Sequence, residues 1–129
     1  MLVVDASVVA PAVADGGPDG EAFRARLRNQ AIAGPDLLRI EVMSMIRRNN
    51  IGGRLSSAQA AAAINDLLDL PIAVYPSGPL LRRGWQLRGN VTSYDACYVA
   101  LAEALGCPLL TADARLAAAP GTKCVIELI

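Results

Sequence analysis

The 129-residue sequence predicts a parallel α/β sheet covered by helices on both faces. Two observations lead there. Short apolar runs such as Leu2–Val4, Ile72–Val74 and Leu109–Thr111 alternate with helix-length segments, the pattern of βα units. Hydrophobic residues make up 53% of the chain and charged residues 19%, and neither a repeat nor a low-complexity linker interrupts them, so one domain over residues 1–129 is expected.

The elements follow in order. Leu2–Val4 reads as a strand ending at Asp5, and Ala6–Ala14 as a short helix that accepts Pro11 near its start. After the turn-rich stretch 15–20, Glu21–Gln30 has helical composition and Ala31–Ala33 reads as a strand before Gly34-Pro35. Asp36 suits an N-cap for a helix over Leu37–Arg48, whose apolar positions recur at helical spacing until Asn49-Asn50 and Gly52-Gly53. Ser56 or Ser57 caps an Ala-rich helix to Asp69, Leu70-Pro71 ends it, and Ile72–Val74 is the next strand. Pro76–Pro79 opens a helix to about Gly89. Thr92 or Ser93 caps another over Tyr94–Leu105, closed by Gly106. Leu109–Thr111 is a buried strand, Asp113–Ala118 a short helix, Pro120-Gly121 a turn and Cys124–Ile126 the last strand.

Composition narrows the chemistry. Twelve Lys and Arg balance twelve Asp and Glu, so any attraction to a polyanion is local. With no His, Ser-His-Asp and Cys-His nucleophiles and His-containing zinc sites are excluded. Cys97, Cys107 and Cys124 form no C-x-x-C pair and read as small hydrophobes in a reducing compartment. The start MLVVDASVVA lacks the basic region of a secretory signal, and no apolar run reaches spanning length, so a cytoplasmic location and no membrane partner are expected. Chemistry must run on carboxylates.

In open parallel sheets ligands sit beyond the carboxyl ends of the strands, where Asp5 and Asp113 fall. Glu41 lies on an otherwise apolar helix stripe with Leu38, Val42 and Met45. Its neighbours at three and four residues, Leu37, Leu38, Ser44 and Met45, include no cation. Asp95 is likewise flanked at those spacings by Val91, Thr92, Tyr98 and Val99. Four unpaired acids converging on one sheet edge repel unless protonated or bridged by a divalent cation. Simpler readings stand beside this one: Thr92 and Asp95 form a capping box, Asp113 caps its own helix, Asp5 forms a turn, and Glu41 reaches Arg39 or Arg47. Asp15, Asp19, Glu21, Asp36, Asp66, Asp69, Glu103 and Glu127 carry no assigned chemistry.

The segments LVVDASVVA from Leu2, PDLLRIE from Pro35, TSYDACYVALAEALG from Thr92 and LLTADARL from Leu109 together resemble the PIN-domain nucleases, specifically the VapC toxins of bacterial toxin–antitoxin pairs. The resemblance covers almost the whole chain and rests on four segments in order. It implies a three-layer α/β/α domain with a five-stranded parallel sheet, and an acidic pocket of Asp5, Glu41, Asp95 and Asp113 supported by the hydroxyls of Ser7 and Thr111. It further implies a metal-dependent endoribonuclease leaving a 3′-hydroxyl and a 5′-phosphate, and a partner antitoxin. Because Mg²⁺ keeps most of its waters, Asp5 and Asp95 are the expected principal ligands, with Glu41 and Asp113 on metal waters or a second ion and Mn²⁺ able to substitute.

Eleven of the twelve cations are Arg, whose planar fork suits phosphate. Arg39, Arg47, Arg48, Arg82, Arg83 and Arg88 are candidate RNA contacts, while Arg24, Arg26 and Arg28 read as solvated helix faces. Tyr94 and Trp85 read as packing or interface residues. Ala58–Ile64 and Val8–Val13 could serve the antitoxin or a homodimer contact, or simply be core. Three alternatives are weaker. A receiver-like Mg²⁺-binding signalling domain needs adjacent acids after the first strand and an Asp after the third. A D-x-D phosphatase needs a carboxylate at position 7, where Ser7 stands. A catalytically silent PIN-like binding protein predicts loss of a pocket acid, and all four are present.

Overall fold

The computed structural model describes all 129 residues. Five parallel strands, β1 (Leu2–Val4), β2 (Ile32–Pro35), β3 (Ile72–Tyr75), β4 (Leu109–Thr111) and β5 (Ile126–Leu128), form one sheet in the order β3-β2-β1-β4-β5. The register sets Leu2 beside Ile32, Val3 beside Leu109, Ile32 beside Ile72 and Leu109 beside Ile126. The helices are α1 (Ala6–Ala14), α2 (Pro18–Leu27), α3 (Leu38–Ile51), α4 (Ser57–Asp69), α5 (Leu81–Gln86, preceded by a 3-10 turn at Gly78–Leu80), α6 (Ser93–Leu105) and α7 (Ala114–Ala117).

Burial follows position in the sheet. Every residue of the inner strands β1 and β4 is buried, whereas the edge strands β3 and β5 are only partly covered. Right-handed crossovers, the hand nearly all such connections take, carry α1–α4 to one face and α5–α7 to the other. The packing agrees: α1 gathers α2, α3 and α4, while α6 lies over β1, β2 and β4 with α5 against it. Seven consecutive residues, Ala96–Ala102, are buried in α6, which accounts for its uniformly apolar sequence.

The chain leaves β1 toward β2 but leaves β4 toward β5, so the direction of winding reverses between these neighbours. That reversal opens a crevice at their carboxyl ends, the position where open α/β sheets bind ligands.

Several boundaries differ from the sequence expectation for physical reasons. Asp36 does not cap α3, since Leu37 holds the N-cap position without a side-chain bond. Asp36 instead links the ends of two strands: its amide donates to the Tyr75 carbonyl at 2.8 Å and its carboxylate accepts the Ser77 amide at 3.2 Å. β2 runs on through Gly34 and Pro35. A Cβ at Gly34 would stand 2.5 Å from Leu38 Cδ2, so glycine there lets α3 pack directly on the strand. α3 continues to Ile51, and α2 starts at Pro18. β5 begins two residues later than expected; ahead of it the Lys123 amide donates to Glu103 Oε1 at 2.7 Å and the Val125 carbonyl accepts the Leu109 amide at 2.9 Å.

Candidate active site

All four acids begin a helix at the carboxyl edge of the sheet. Asp5 caps α1 directly after β1, Asp113 caps α7 just beyond β4, and Glu41 and Asp95 lie in the first turns of α3 and α6. Helices that return from this edge begin there, so topology brings together residues 108 positions apart in sequence. The positive ends of the helix dipoles partly offset the crowding of negative charge.

Asp5 is 5% exposed and holds the centre. Its Oδ1 accepts the Ser7 amide at 3.1 Å and the Ser7 hydroxyl at 2.5 Å, while Oδ2 accepts the Thr111 hydroxyl at 2.5 Å. Both hydroxyls are aimed by the backbone, because Ser7 Oγ accepts the Ala112 amide at 2.9 Å and Thr111 Oγ1 accepts the Asp113 amide at 3.0 Å. With lone pairs engaged by amides, each hydroxyl has its one proton for Asp5. The network fastens the end of β1 to the β4–α7 turn and leaves Asp5 about one of its roughly four acceptor positions.

Glu41 is half-buried and meets none of the cations near it in sequence. Its Oε1 accepts the Tyr98 hydroxyl at 2.6 Å. Neither Arg39 nor Arg47 forms an ion pair with it, and the molecule's four ion pairs involve none of the four acids. Tyr98 is 1% exposed and was not singled out from sequence, although it lies three residues after Asp95, on the same face of α6. Burial foremost, then the bond to Glu41, holds its phenol far above the ordinary range, so it is a permanent donor.

Burial pushes the carboxyls of Asp5, Glu41 and Asp95 above their ordinary values. The hydroxyls of Ser7 and Thr111 oppose the rise at Asp5, Tyr98 opposes it at Glu41 and Thr92 at Asp95. The acids also repel: the charge of Asp95 raises Asp5 and Glu41, that of Asp5 raises Glu41, and that of Asp113 raises Asp95. The structure thus makes one mutually repelling group of the four. The Asp113 cap holds, because Asp113 Oδ1 accepts the Arg115 amide at 2.9 Å, but the Thr92–Asp95 capping box forms only by half: Thr92 Oγ1 accepts the Asp95 amide at 3.1 Å while the Asp95 carboxylate returns no bond to the Thr92 amide. Each cap leaves carboxylate capacity facing the crevice.

Three or more of these carboxylates do not stand close enough to enclose a bare ion. All the donors are hard oxygens, the chemistry that suits Mg²⁺ or Mn²⁺, and such an ion keeps most of its waters and needs only one or two carboxylates directly.

The arginines sort differently from the sequence expectation. Arg83 is not free for RNA: it pairs with Glu103 at 2.7 Å and donates to the Gly121 carbonyl at 2.9 Å, tying α5 to α6 and to the loop after α7. Arg26 is bound by both oxygens of Glu127 and is not simply solvated, and Arg24 meets Glu21, whereas Arg28 meets only the exposed Glu21 and is the solvated side chain expected. Arg39 reaches the Leu70 carbonyl at 3.5 Å. Trp85 and Tyr94 are 68% and 64% exposed rather than packed, and the Arg88 guanidinium lies over the Trp85 ring at 4.6 Å from its centroid. In Val8–Val13 the residues Val8, Val9, Ala10 and Ala12 are core, whereas in Ala58–Ile64 Ala63 is buried, Ala60 and Ile64 pack partly against the core, and the rest is exposed.

A cleft of about 360 Å³ opens beside Asp95 and Asp113, and Arg88, Thr92 and Arg115 help to line it. A second cavity of about 500 Å³ lies against Ser7 on the other side, between α1, α3 and α4.

Residues 2–121 match the PIN-domain family. Ribonuclease VapC1 of Mycobacterium tuberculosis is 47% identical over 128 residues, spanning 98% of this chain and 96% of that protein. Among solved structures, the Mycobacterium tuberculosis VapC20 toxin, described as cleaving the sarcin-ricin loop, superposes with a TM-score of 0.72 at 17% identity, covering 95% of this chain and 96% of that one. VapBC2 from Rickettsia felis, bound to a DNA fragment from its promoter, superposes with a TM-score of 0.70 at 13% identity over 99% and 98% of the two chains. Both superpositions show the fold, and the family match together with the close full-length relative settles kinship: the chain belongs to the PIN-domain family, among the VapC ribonucleases.

Proposed function

We propose that this protein is a divalent-metal-dependent endoribonuclease acting as the toxin of a VapBC-like pair. The observation that carries the reading is the crevice group itself: Asp5, Glu41, Asp95 and Asp113 gathered at the switch point, with no cationic partner and with Asp5 held by Ser7 and Thr111. Leaving four mutually repelling acids without a cation is costly, and a bound cation removes that cost.

Asp5 and Asp95 would hold Mg²⁺ or Mn²⁺ directly, with Glu41 and Asp113 on its waters. Such an ion supplies an acidified water and neutralises charge developing on the phosphoryl oxygens. The remaining work falls to the chain. Ser7 and Thr111 lock the Asp5 carboxylate in one orientation. Tyr98 occupies Glu41 Oε1, leaving Oε2 to accept the proton of the attacking water. Water attack, rather than attack by a neighbouring 2′-hydroxyl, leaves a 3′-hydroxyl and a 5′-phosphate.

The names of its relatives support an RNA substrate, and the VapBC architecture of one neighbour supports a VapB-type antitoxin. The exposed residues Ala58, Ala61 and Ala62 of Ala58–Ile64 on α4 offer the antitoxin or a second copy of the chain an apolar contact, and Gln59 in the same stretch borders the cavity beside Ser7. No helix is long and apolar enough to cross a membrane, and an RNA substrate and antitoxin partner would place the protein's work in the cytoplasm. The retention of all four acids disfavours a silent binding protein.

The test is incubation of total cellular RNA with the purified protein in Mg²⁺ or in chelator, beside Asp5→Asn, with sequencing of new ends. Discrete cuts that carry 5′-phosphates and vanish in both controls support the reading. Cyclic phosphate ends, or cutting untouched by the substitution, refute it.

A further inference from the structure

Asp95 and Asp113 line one cleft with Arg88 and Arg115, and these two arginines have no role in the metal site as described. Of the twelve cationic side chains, Arg24, Arg26, Arg28 and Arg83 are engaged by carboxylates. Of those that remain free of acids, Arg88 and Arg115 line the same cleft as Asp95 and Asp113. Both are exposed; Arg88 is anchored through its side chain and Arg115 through its backbone alone. Arg88 lies over the Trp85 ring at 4.6 Å and its Nη1 donates to the Trp85 carbonyl at 3.0 Å, while the Arg115 amide is held by Asp113 Oδ1 at 2.9 Å. Neither guanidinium closes onto the nearby acids, although ion pairs within 4.0 Å form elsewhere on the surface. Asn90 ties one wall to the next loop by donating to the Pro120 carbonyl at 3.0 Å.

We propose that Arg88 and Arg115 form a subsite for a backbone phosphate of single-stranded RNA one or two nucleotides from the scissile bond. The assignment rests on the nuclease reading above and adds where the strand runs. Two guanidinium groups that meet no acid and line one cleft with Asp95 and Asp113 suit the oxygens of a phosphodiester, which a planar fork binds in pairs. The two Arg charges and the two Asp charges cancel in the cleft, so phosphate is drawn in only once the carboxylates are neutralised by a cation. RNA binding and cation binding are therefore coupled, each strengthening the other. Arg stacked on Trp85 is already ordered, which reduces the entropy lost when it grips a phosphate.

The test measures binding of a fluorescein-labelled single-stranded RNA in Ca²⁺ by fluorescence anisotropy across a salt series. It compares the wild type with Arg88→Ala, Arg115→Ala, the double variant, Arg88→Lys and the charge-matched control Arg28→Ala, alongside Mn²⁺ titration and cleavage in Mg²⁺. Each cleft variant is expected to weaken binding about tenfold and raise KM more than it lowers kcat. The double variant should flatten the slope of log Kd against log salt by about 0.7 for each phosphate no longer neutralised. Mn²⁺ binding in the absence of RNA is not weakened, Arg88→Lys recovers only part of the affinity, and Arg28→Ala changes neither affinity nor slope. An unchanged salt slope in the double variant, or an equal loss in Arg28→Ala, overturns the subsite while leaving the nuclease reading standing. Failure of the wild type to cut or bind RNA overturns both.

Discussion

Tyr98, buried in α6, donates its hydroxyl to Glu41 Oε1 on α3 at 2.6 Å, joining helices from opposite faces of the sheet directly at the carboxylate crevice. The bond fixes one oxygen of an acid that has no cation and stabilises its charged form. Tyr98→Phe keeps the ring and removes the donor. The Glu41 carboxyl, already raised by burial, is then expected to rise further, moving the acid limb of the cleavage–pH profile upward. Denaturant unfolding should show a loss of about 1–3 kcal/mol. An unmoved acid limb would show that Tyr98 serves packing alone.

Metal-free stability should fall as pH rises through the raised carboxyl values of the crevice. The folded-state values of Asp5, Glu41 and Asp95 lie above their ordinary 3.8 for Asp and 4.5 for Glu. The folded protein therefore holds more protons than the unfolded chain just above those values. The stability these groups contribute is fully present below the ordinary values and is lost as pH climbs through the raised ones. Glu103 and Glu127 act oppositely: Arg83 and Arg26 lower them, so their contribution is present above the ordinary 4.5 and lost as pH falls through the lowered values. Thermal melts in chelator should show a maximum on the acidic side of neutrality. Adding Mg²⁺ or Mn²⁺ at neutral pH should raise Tm in a concentration-dependent way.

Thr111→Val should destabilise by about 1–3 kcal/mol, since it strips the donor from Asp5 Oδ2 and leaves the Asp113 amide without its acceptor in a site that is 0% exposed. Equilibrium unfolding measures it, and a loss confined to a few tenths would mean that water replaces both bonds.

Asp5→Asn is expected to abolish cleavage with little change in stability. It relieves charge repulsion in the crevice, but an amide nitrogen cannot accept the hydroxyl bond that one carboxylate oxygen accepts. The two effects oppose each other, which a melt of the metal-free variant at neutral pH would reveal as a Tm close to the wild type.

Arg83→Ala should lower stability by something on the order of 1 kcal/mol through loss of the Glu103 pair, and leave the salt dependence of RNA binding untouched. A flattened salt slope would return Arg83 to the RNA-contacting set.

Much of this was legible in sequence because the relevant signals are local. An apolar triplet ending in Asp5, a Thr-x-Asp at 111–113 and the lack of cations around Glu41 and Asp95 are read within a turn of helix, and alternating elements gave the layers. Partnerships across long separations were not legible. Arg83 and Glu103 are 20 residues apart, Arg26 and Glu127 101, and Tyr98 and Glu41 57, and nothing in residue type selects those partners from the other acids and bases. Asp36 misled for a related reason: an acid before a helix signals a cap, but the parallel pairing of β2 with β3 brought the Ser77 amide within its reach. The exposure of Trp85 was hidden by its apolar character, which a sequence reader assigns to packing.

The most direct test follows bound Mn²⁺ and the rate of RNA cleavage on one preparation as Mn²⁺ is titrated, for the wild type and Asp5→Asn. The two curves should rise together in the wild type, and the variant should lose cleavage and bind Mn²⁺ far more weakly. Cleavage that persists in chelator, or in an Asp5→Asn protein of native fold, would contradict the assignment of the crevice as a metal-dependent nuclease centre.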